Sequence, residues 1–179
     1  MIFAERALLP DGWAEQVRIT VTGGHITGVA TAAAPQPGDA RVSALLPALS
    51  NLHSHAFQRA MAGMTEHRIA GRDSFWTWRD LMYRFLDRLT PEQMEAIAAL
   101  VFMEMQEAGY AAVGEFHYVH HQPNGAAYSC DSQLSQSIIN AANIAGINLT
   151  LLPVLYMTAG FDGQPLLEEQ KRFGNSVAR

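Results

Sequence analysis

Cysteine is almost missing from this chain: Cys130 is the only one among 179 residues. That excludes an internal disulfide and any cysteine-rich zinc site, and the lone thiol, with no activating partner near it in sequence, reads as a bystander. Long apolar runs are missing too. No stretch of about 18 uninterrupted hydrophobic residues occurs, and the N-terminus MIFAERALL carries a glutamate where a secretory signal would be basic and then apolar. The expectation is a cytoplasmic protein with no membrane partner. Basic charge is also scarce, with 12 Lys and Arg against 17 Asp and Glu, a formal net charge of -5 and a pI near 5.7. Phosphate binding leans on clustered cations, so no nucleic-acid partner is expected. Arg59, Arg68, Arg72 and Arg79 are interleaved with Glu66, Asp73 and Asp80, as on a solvated face of mixed charge.

What is present is the composition of a globular protein with a real core, 49% hydrophobic and 16% charged. Residues 1 to about 30 read as short strands: IFAERALL, a turn at Pro10 to Gly12, WAEQVRITV, then HITGVA after Gly23-Gly24. Val17, Ile19 and Val21 alternate with polar residues, and Gly-Gly between two such runs is a hairpin signal. The segment TAAAPQPGDARVS then reads as a connector. The division expected is a small β unit over 1–43 and an α/β unit over 44–179.

From Ala44, ALLPALSNLHSH is apolar without alternation, as in a strand covered on both faces, although Pro47 sits badly in it. DSFWTWRDLMYRFLDRL sets Phe75, Trp78, Met82, Phe85 or Leu86, and Leu89 on one helical stripe, which is a core face. Thr90-Pro91-Glu92-Gln93 is a helix start, with Met94, Ile97, Val101 and Met105 as the buried face and Gly109 as the stop. YAAVGEFHYV is a second strand. Asp131 is placed to cap a helix over SQLSQSIINAANIA, with Leu134, Ile138 and Ala142 inward and Gly146 at its end, and INLTLLPVLYM is a third strand. The tail EEQKRFGNSVAR runs out in polar residues. Alternating strands and helices of this kind make parallel βαβ units with right-handed crossovers. A (β/α)₈ barrel needs roughly 250 residues, so this is either a small three-stranded domain or the first portion of a larger barrel.

The chemistry concentrates in NLHSHAFQRAMAG, residues 51 to 63. His53 and His55, two apart on a strand, share a face, and they stand at the strand's C-terminal end, where βα loops begin. Two imidazoles there suit Zn²⁺ or another borderline divalent ion, although a catalytic zinc commonly takes three protein ligands. Hydrogen-bonded rim histidines are the competing reading. The other histidines complete the set poorly: His25 lies in the β unit, His67 in a loop, and His117, His120 and His121 at or past the second strand. Glu115 and His117 form a second i, i+2 pair, read as hydrogen-bonding residues ahead of ligands. Gln58 follows His55 by three, Arg79 lies off the apolar stripe, and Tyr118 falls opposite Glu115 and His117 if the strand continues.

Three segments, LPALSNLHSHAFQRAMAG, SFWTWRDLMYRF and AAVGEFHYVHH, together resemble the N-terminal part of the amidohydrolase superfamily, and within it the formimidoylglutamate deiminases. The most specific elements are His-Ser-His-Ala-Phe-Gln-Arg-Ala and Trp-Thr-Trp-Arg. The fold implied is the first part, about three βα units, of a metal-dependent (β/α)₈ barrel, preceded by strands of a small β-sandwich. The activity implied is zinc-dependent hydrolysis of N-formimidoyl-L-glutamate to N-formyl-L-glutamate and ammonia, in histidine degradation, with a homodimer as the assembly of the full-length protein. The likeness makes His53 and His55 metal ligands, and Gln58, Arg79 and Tyr118 substrate contacts. Rival readings are an amidohydrolase acting on a heterocyclic amine and a non-catalytic metal-binding fragment.

The family's other metal ligands and its acid-base glutamate and histidine belong to strands not found in these residues, and nothing in 159–179 replaces them. The purified 179-residue chain is therefore expected to release little or no ammonia from N-formimidoyl-L-glutamate and to expose unpaired strand edges. An enzyme-coupled ammonia assay checks this, and steady turnover refutes it.

Overall fold

A computed structural model of the chain describes residues 1–64 and 75–177. His67, Arg68, Arg72, Glu66 and Asp73 lie outside the described residues, as does the side chain of Phe75. The chain divides into two compact units, Met1–Ala48 and Leu49–Arg179.

In the first unit, β1 (Ile2–Leu9), β2 (Gly12–Thr22), β3 (His25–Ala30) and β4 (Ala40–Leu45) form one sheet in the order β3-β2-β1-β4. Neighbours are antiparallel except β1 and β4, which pair in parallel. Gly23 and Gly24 turn the β2–β3 hairpin with φ of 59° and 80°, a left-handed path that glycine takes without Cβ strain. Ala4, Ala7, Val17 and Ile19 form a buried cluster in it. The Asp39 carboxylate accepts from Arg18 Nε and Nη2 at 2.8 and 2.9 Å and from the Gln36 backbone N–H. These bonds, the guanidinium's first, hold its pKa down to about 2.

The stretch read as one connector and one strand is cut differently by the structure. Ala40 to Ser43 are not linker but the first residues of β4, added to the edge of β1. ALLPALSNLHSH is not one strand: β4 ends at Leu45, and the next strand begins at Leu49, with Pro47 between them. Proline has no N–H to give a ladder, and it biases the residue before it, so the run breaks there.

In the second unit, β5 (Leu49–Ser54), β6 (Tyr110–His117) and β7 (Asn148–Pro153) form a parallel sheet in that order. A 3₁₀ turn over Ala56–Met61 and helices α1 (Phe75–Leu86) and α2 (Pro91–Glu107) separate β5 from β6, and α3 (Gln133–Ala145) separates β6 from β7. Thr90 caps α2 through a full capping box. Its Oγ1 accepts the Gln93 N–H at 3.3 Å, and Gln93 Oε1 accepts the Thr90 N–H at 3.1 Å. Met94, Ala98, Phe102 and Met105 are the buried stripe of α2, with Ile97 and Val101 only partly covered, a rotation of the face expected from the sequence. In α3, Leu134, Ile138 and Ala142 are buried, as their spacing predicts. The N-cap of α3 is Ser132, not Asp131, and its side chain makes no capping bond. Gly146 ends the helix in the left-handed region, φ 78°, giving its N–H to Ala142 O.

One face of the parallel sheet packs on the helices through Val113, Leu149 and Leu151, in a cluster with Ala98, Phe102, Leu134 and Ile138. The other face leaves Leu52, Phe116 and Leu152 exposed. The tail does more than run out in polar residues. Arg172 is buried, with Nε donating to His121 O at 2.8 Å and Nη1 to Leu89 O at 3.0 Å and to Leu86 O, while Phe173 enters the core. This guanidinium supplies donors to the last carbonyl of α1, Leu86 O, and to Leu89 O just past its end. It ties that helix end to the loop after β6.

Replacing the α2 cap tests how far local signals hold this unit: Thr90→Ala should lower stability by about 1 kcal/mol and Thr90→Gly by a few tenths. Urea unfolding with an unchanged m-value checks both.

Candidate active site

The end of β5 is shaped by an irregularity in its pairing with β6 between Asn51 and Ser54. Asn51 Nδ2 reaches Met105 on α2, and Ser54 is buried beside Glu115. Two residues three apart thus face the helices, which strict alternation forbids. The slip sends His53 and His55 to the opposite face, their rings perpendicular with centroids 5.2 Å apart. A buried carboxylate fixes the exit of the strand: Glu115 Oε1 accepts the Ala56 N–H at 2.6 Å and Glu115 also bonds Ser54. Burial raises the Glu115 pKa, and those two hydrogen bonds oppose the rise.

His55 lies edge-on to Phe116 and Tyr118, with centroids at 5.3 and 5.4 Å. Its Nδ1 is 3.1 Å from the Phe116 carbonyl. A carbonyl only accepts, so Nδ1 carries the proton and the Nε2 lone pair is left for another partner. This is the orienting bond commonly found behind a metal-ligating imidazole.

Tyr118 sits just past β6, and alternation puts it with Phe116, 5.9 Å between rings, on the side of His55. Its apparent parity conflict with Glu115 and His117 therefore resolves in its favour. That second pair points into the helix-covered side, away from the histidines of β5, and is not part of the site. Gln58 Nε2 donates to Tyr118 Oη at 2.9 Å, and the phenol proton faces Met82 Sδ at 3.5 Å. Burial raises the Tyr118 pKa beyond the ordinary phenol range. The phenol therefore acts as a neutral donor.

Arg79 lies on α1 with its guanidinium carbon 5.7 Å from the centroid of the Tyr83 ring. His55, Gln58, Arg79 and Tyr118 all line one cavity of about 350 Å³. His53 is not among its lining residues and stands beside His55 at the rim. A larger cavity of about 720 Å³ lies among Leu81, Phe85, Leu89 and Ile97. Among the described residues no histidine lines it, and volume alone does not make it the reactive site. Among the described residues, no group of three or more His, Cys, Asp or Glu is placed to hold a metal ion.

The sequence reading missed half the cavity. Trp78, Tyr83, Tyr156, Gln170 and Phe173 line it as well. Trp78 was read as core. Tyr156 lies beyond the end of β7, and Gln170 and Phe173 come from the tail, where no periodicity marks a side chain as inward. Phe173 packs against Tyr118, Tyr156 and Tyr83 at 5.0, 5.5 and 6.0 Å.

Comparison with known proteins adds to this geometry. Residues 1–43 match the family model "Formimidoylglutamate deiminase HutF, N-terminal domain". The chain is 49% identical to an amidohydrolase from Brucella melitensis of known crystal structure, with a TM-score of 0.94 over 97% of this chain and 39% of that one. A triazine hydrolase variant shares the fold alone, at 19% identity and a TM-score of 0.64 over 84% of this chain and 34% of that one. The chain is thus similar, in sequence and fold, to part of an amidohydrolase. Within that class it resembles formimidoylglutamate deiminase: it is 55% identical to the enzyme of Pseudomonas aeruginosa over 97% of its own length. It spans 39% of the length of that relative.

Burial lowers the pKa of His117 from 6.5 to about 3, with His120, whose ring lies 5.4 Å away, adding to the shift. The folded state thus holds His117 neutral while the unfolded chain binds a proton below pH 6.5. Its contribution to stability is complete above that pH and is lost on acidification towards 3, by a few kcal/mol. Denaturant unfolding between pH 7 and 4 should show the decline, and His117→Asn should flatten it.

Proposed function

We propose that this chain is the N-terminal part of a zinc-dependent formimidoylglutamate deiminase, which hydrolyses N-formimidoyl-L-glutamate to N-formyl-L-glutamate and ammonia. The observation that carries the reading is the meeting of His55, Gln58, Arg79 and Tyr118 at one cavity beside His53. The resemblance to the deiminases had singled out the same five residues. On this reading the first unit contributes strands to a small β-sandwich, and the second, from Leu49, is about three βα units of a (β/α)₈ barrel. Two features support the barrel. The strand order β5-β6-β7 runs without the reversal that marks doubly wound sheets, and the uncovered face presents Leu52, Phe116 and Leu152, apolar groups suited to a barrel interior.

The residues present fit a divalent ion in part. His55, its Nδ1–H given to Phe116 O, directs a lone pair outward, and His53 stands beside it. They are two of the three protein ligands a catalytic zinc commonly takes. A zinc held there would supply a water nucleophile at neutral pH and a Lewis acid for the amidine. Tyr118, given a hydrogen bond by Gln58, holds its own proton on the weak acceptor Met82 Sδ, from which a carboxylate oxygen would draw it, and the Arg79 guanidinium has the planar fork that matches a carboxylate. The wall of Phe116, Trp78 and Phe173 reduces water around these donors, which strengthens them. Such a set of donors favours a small dicarboxylate over a heterocyclic amine, which offers a guanidinium no counter-charge.

The test is done on the whole polypeptide in which these residues occur. It should turn over N-formimidoyl-L-glutamate and hold one zinc, and His53→Ala and His55→Ala should each lose the metal and about 10³-fold or more in kcat/KM. Arg79→Lys, which keeps the charge but not the fork, should raise KM by about tenfold. A zinc content unmoved by loss of both histidines, or faster turnover of a chlorotriazine than of the amidine, would overturn the proposal.

A further inference from the structure

Gln170 is 2% exposed, and both ends of its amide are engaged. Its Oε1 accepts the Leu167 N–H at 2.9 Å, so the amide cannot be turned over without setting two donors against each other. Nε2 therefore faces Tyr156 Oη, at 3.1 Å, and donates to it. The phenol oxygen is an acceptor in that bond, and its own proton has no acceptor among the described residues. Tyr156 is held in place from three sides. Its carbonyl takes the Asn175 N–H at 3.0 Å, its backbone bridges to Gly174, and its ring lies edge-on to Phe173.

The arrangement repeats the one across the cavity, where Gln58 Nε2 donates to Tyr118 Oη. In each case a glutamine N–H occupies the phenol oxygen; the Tyr118 proton goes to the weak acceptor Met82 Sδ, whereas the Tyr156 proton is left to be given. Both phenols line the cavity that Arg79 lines. A site so furnished with donors recognises an anion.

We propose that Tyr156, oriented by Gln170, is a further specificity-determining residue, whose hydroxyl donates to one carboxylate oxygen of an N-acylated or N-formimidoylated acidic amino acid. The inference rests on the dicarboxylate reading above and goes beyond it by assigning a residue from the segment after β7.

The experiment is calorimetric titration of the whole polypeptide, zinc-loaded, with three ligands. N-formyl-L-glutamate has both carboxylates, N-formyl-4-aminobutyrate lacks the α-carboxylate, and N-formyl-L-norvaline lacks the side-chain one. Tyr156→Phe should weaken N-formyl-L-glutamate by about tenfold to a hundredfold, the range for a hydrogen bond to a charged group. That penalty should vanish for the one analogue that lacks the contacted carboxylate. Gln170→Glu keeps the size of the side chain and can still accept from Leu167. It would take the phenol proton as acceptor, so it should mimic Tyr156→Phe in affinity. A penalty equal for all three ligands, or no penalty, overturns the assignment while the dicarboxylate reading stands. Wild-type protein that binds all three equally overturns that reading, and the assignment with it.

Discussion

The hydrogen bond from Ala56 N–H to the buried Glu115 carboxylate is the constraint on which the rim of the second unit depends. It joins the first residue after the β5 histidines to the middle of the neighbouring strand, and Ser54 adds a second bond to the same side chain. A carboxylate almost sealed from water is costly, and Glu115 Oε2 has no hydrogen-bond partner among the described residues. An apolar residue there would bury more comfortably, but it could not fix the backbone at the strand exit. With that exit pinned, the His55 ring falls where Phe116 O can take its Nδ1 proton. The same strand then delivers Phe116 and Tyr118 to the cavity side while its alternate residues, Glu115 and His117, act behind the sheet. One strand thus carries both the support and the wall, and period two keeps them apart.

The polar groups of the cavity share a direction. Gln58 gives to Tyr118, Gln170 gives to Tyr156, and a guanidinium lies on the neighbouring helix. The acceptors that a neutral, hydrogen-bonding heterocycle would ask for are not what the wall offers. Because Trp78, Phe116 and Phe173 surround these donors, each is worth more than it would be in water and needs little reorganisation when charge arrives. Tyr118, whose proton burial holds more firmly, suits this arrangement as a lasting donor.

Much of this was legible in the sequence because local signals agreed with tertiary needs. The Thr90 capping box, the Gly-Gly hairpin and the α3 stripe are each written within a few residues, and the structure follows them. Where the signal was long-range, reading failed. β4 has no alternation of its own and becomes a strand because β1 offers an edge. The α2 face turned because the partners of Ala98 and Phe102 are on α3 and β6, not on α2. His53 and His55 could be paired on one face from period two, but which face could not be read: that follows from the slip between Asn51 and Ser54, a property of two strands together. Gln170 and Phe173 were unreadable for the same reason, since only the docking of Arg172 turns that polar tail inward.

On the barrel reading, the uncovered sheet face and the histidine pair have a common explanation. His53 and His55 would be two of the three protein ligands a zinc commonly takes, and they stand at the end of a sheet whose uncovered face keeps Leu52, Phe116 and Leu152 in the open. A sheet face covered by a further layer of helices would have been expected to carry its polar chemistry elsewhere, since imidazoles at a dry interface need partners within the same chain. Here the histidines, the aromatic wall and the uncovered apolar groups lie on one side, and the helices and the buried His117 and Glu115 lie on the other. That segregation is the arrangement closed parallel barrels use, with side chains meeting inside and active-site groups gathered at the C-terminal ends of the strands. On that reading, any further ligand would reach the histidines around the face that His55 and Phe116 share, in continuation of the β5-β6-β7 order.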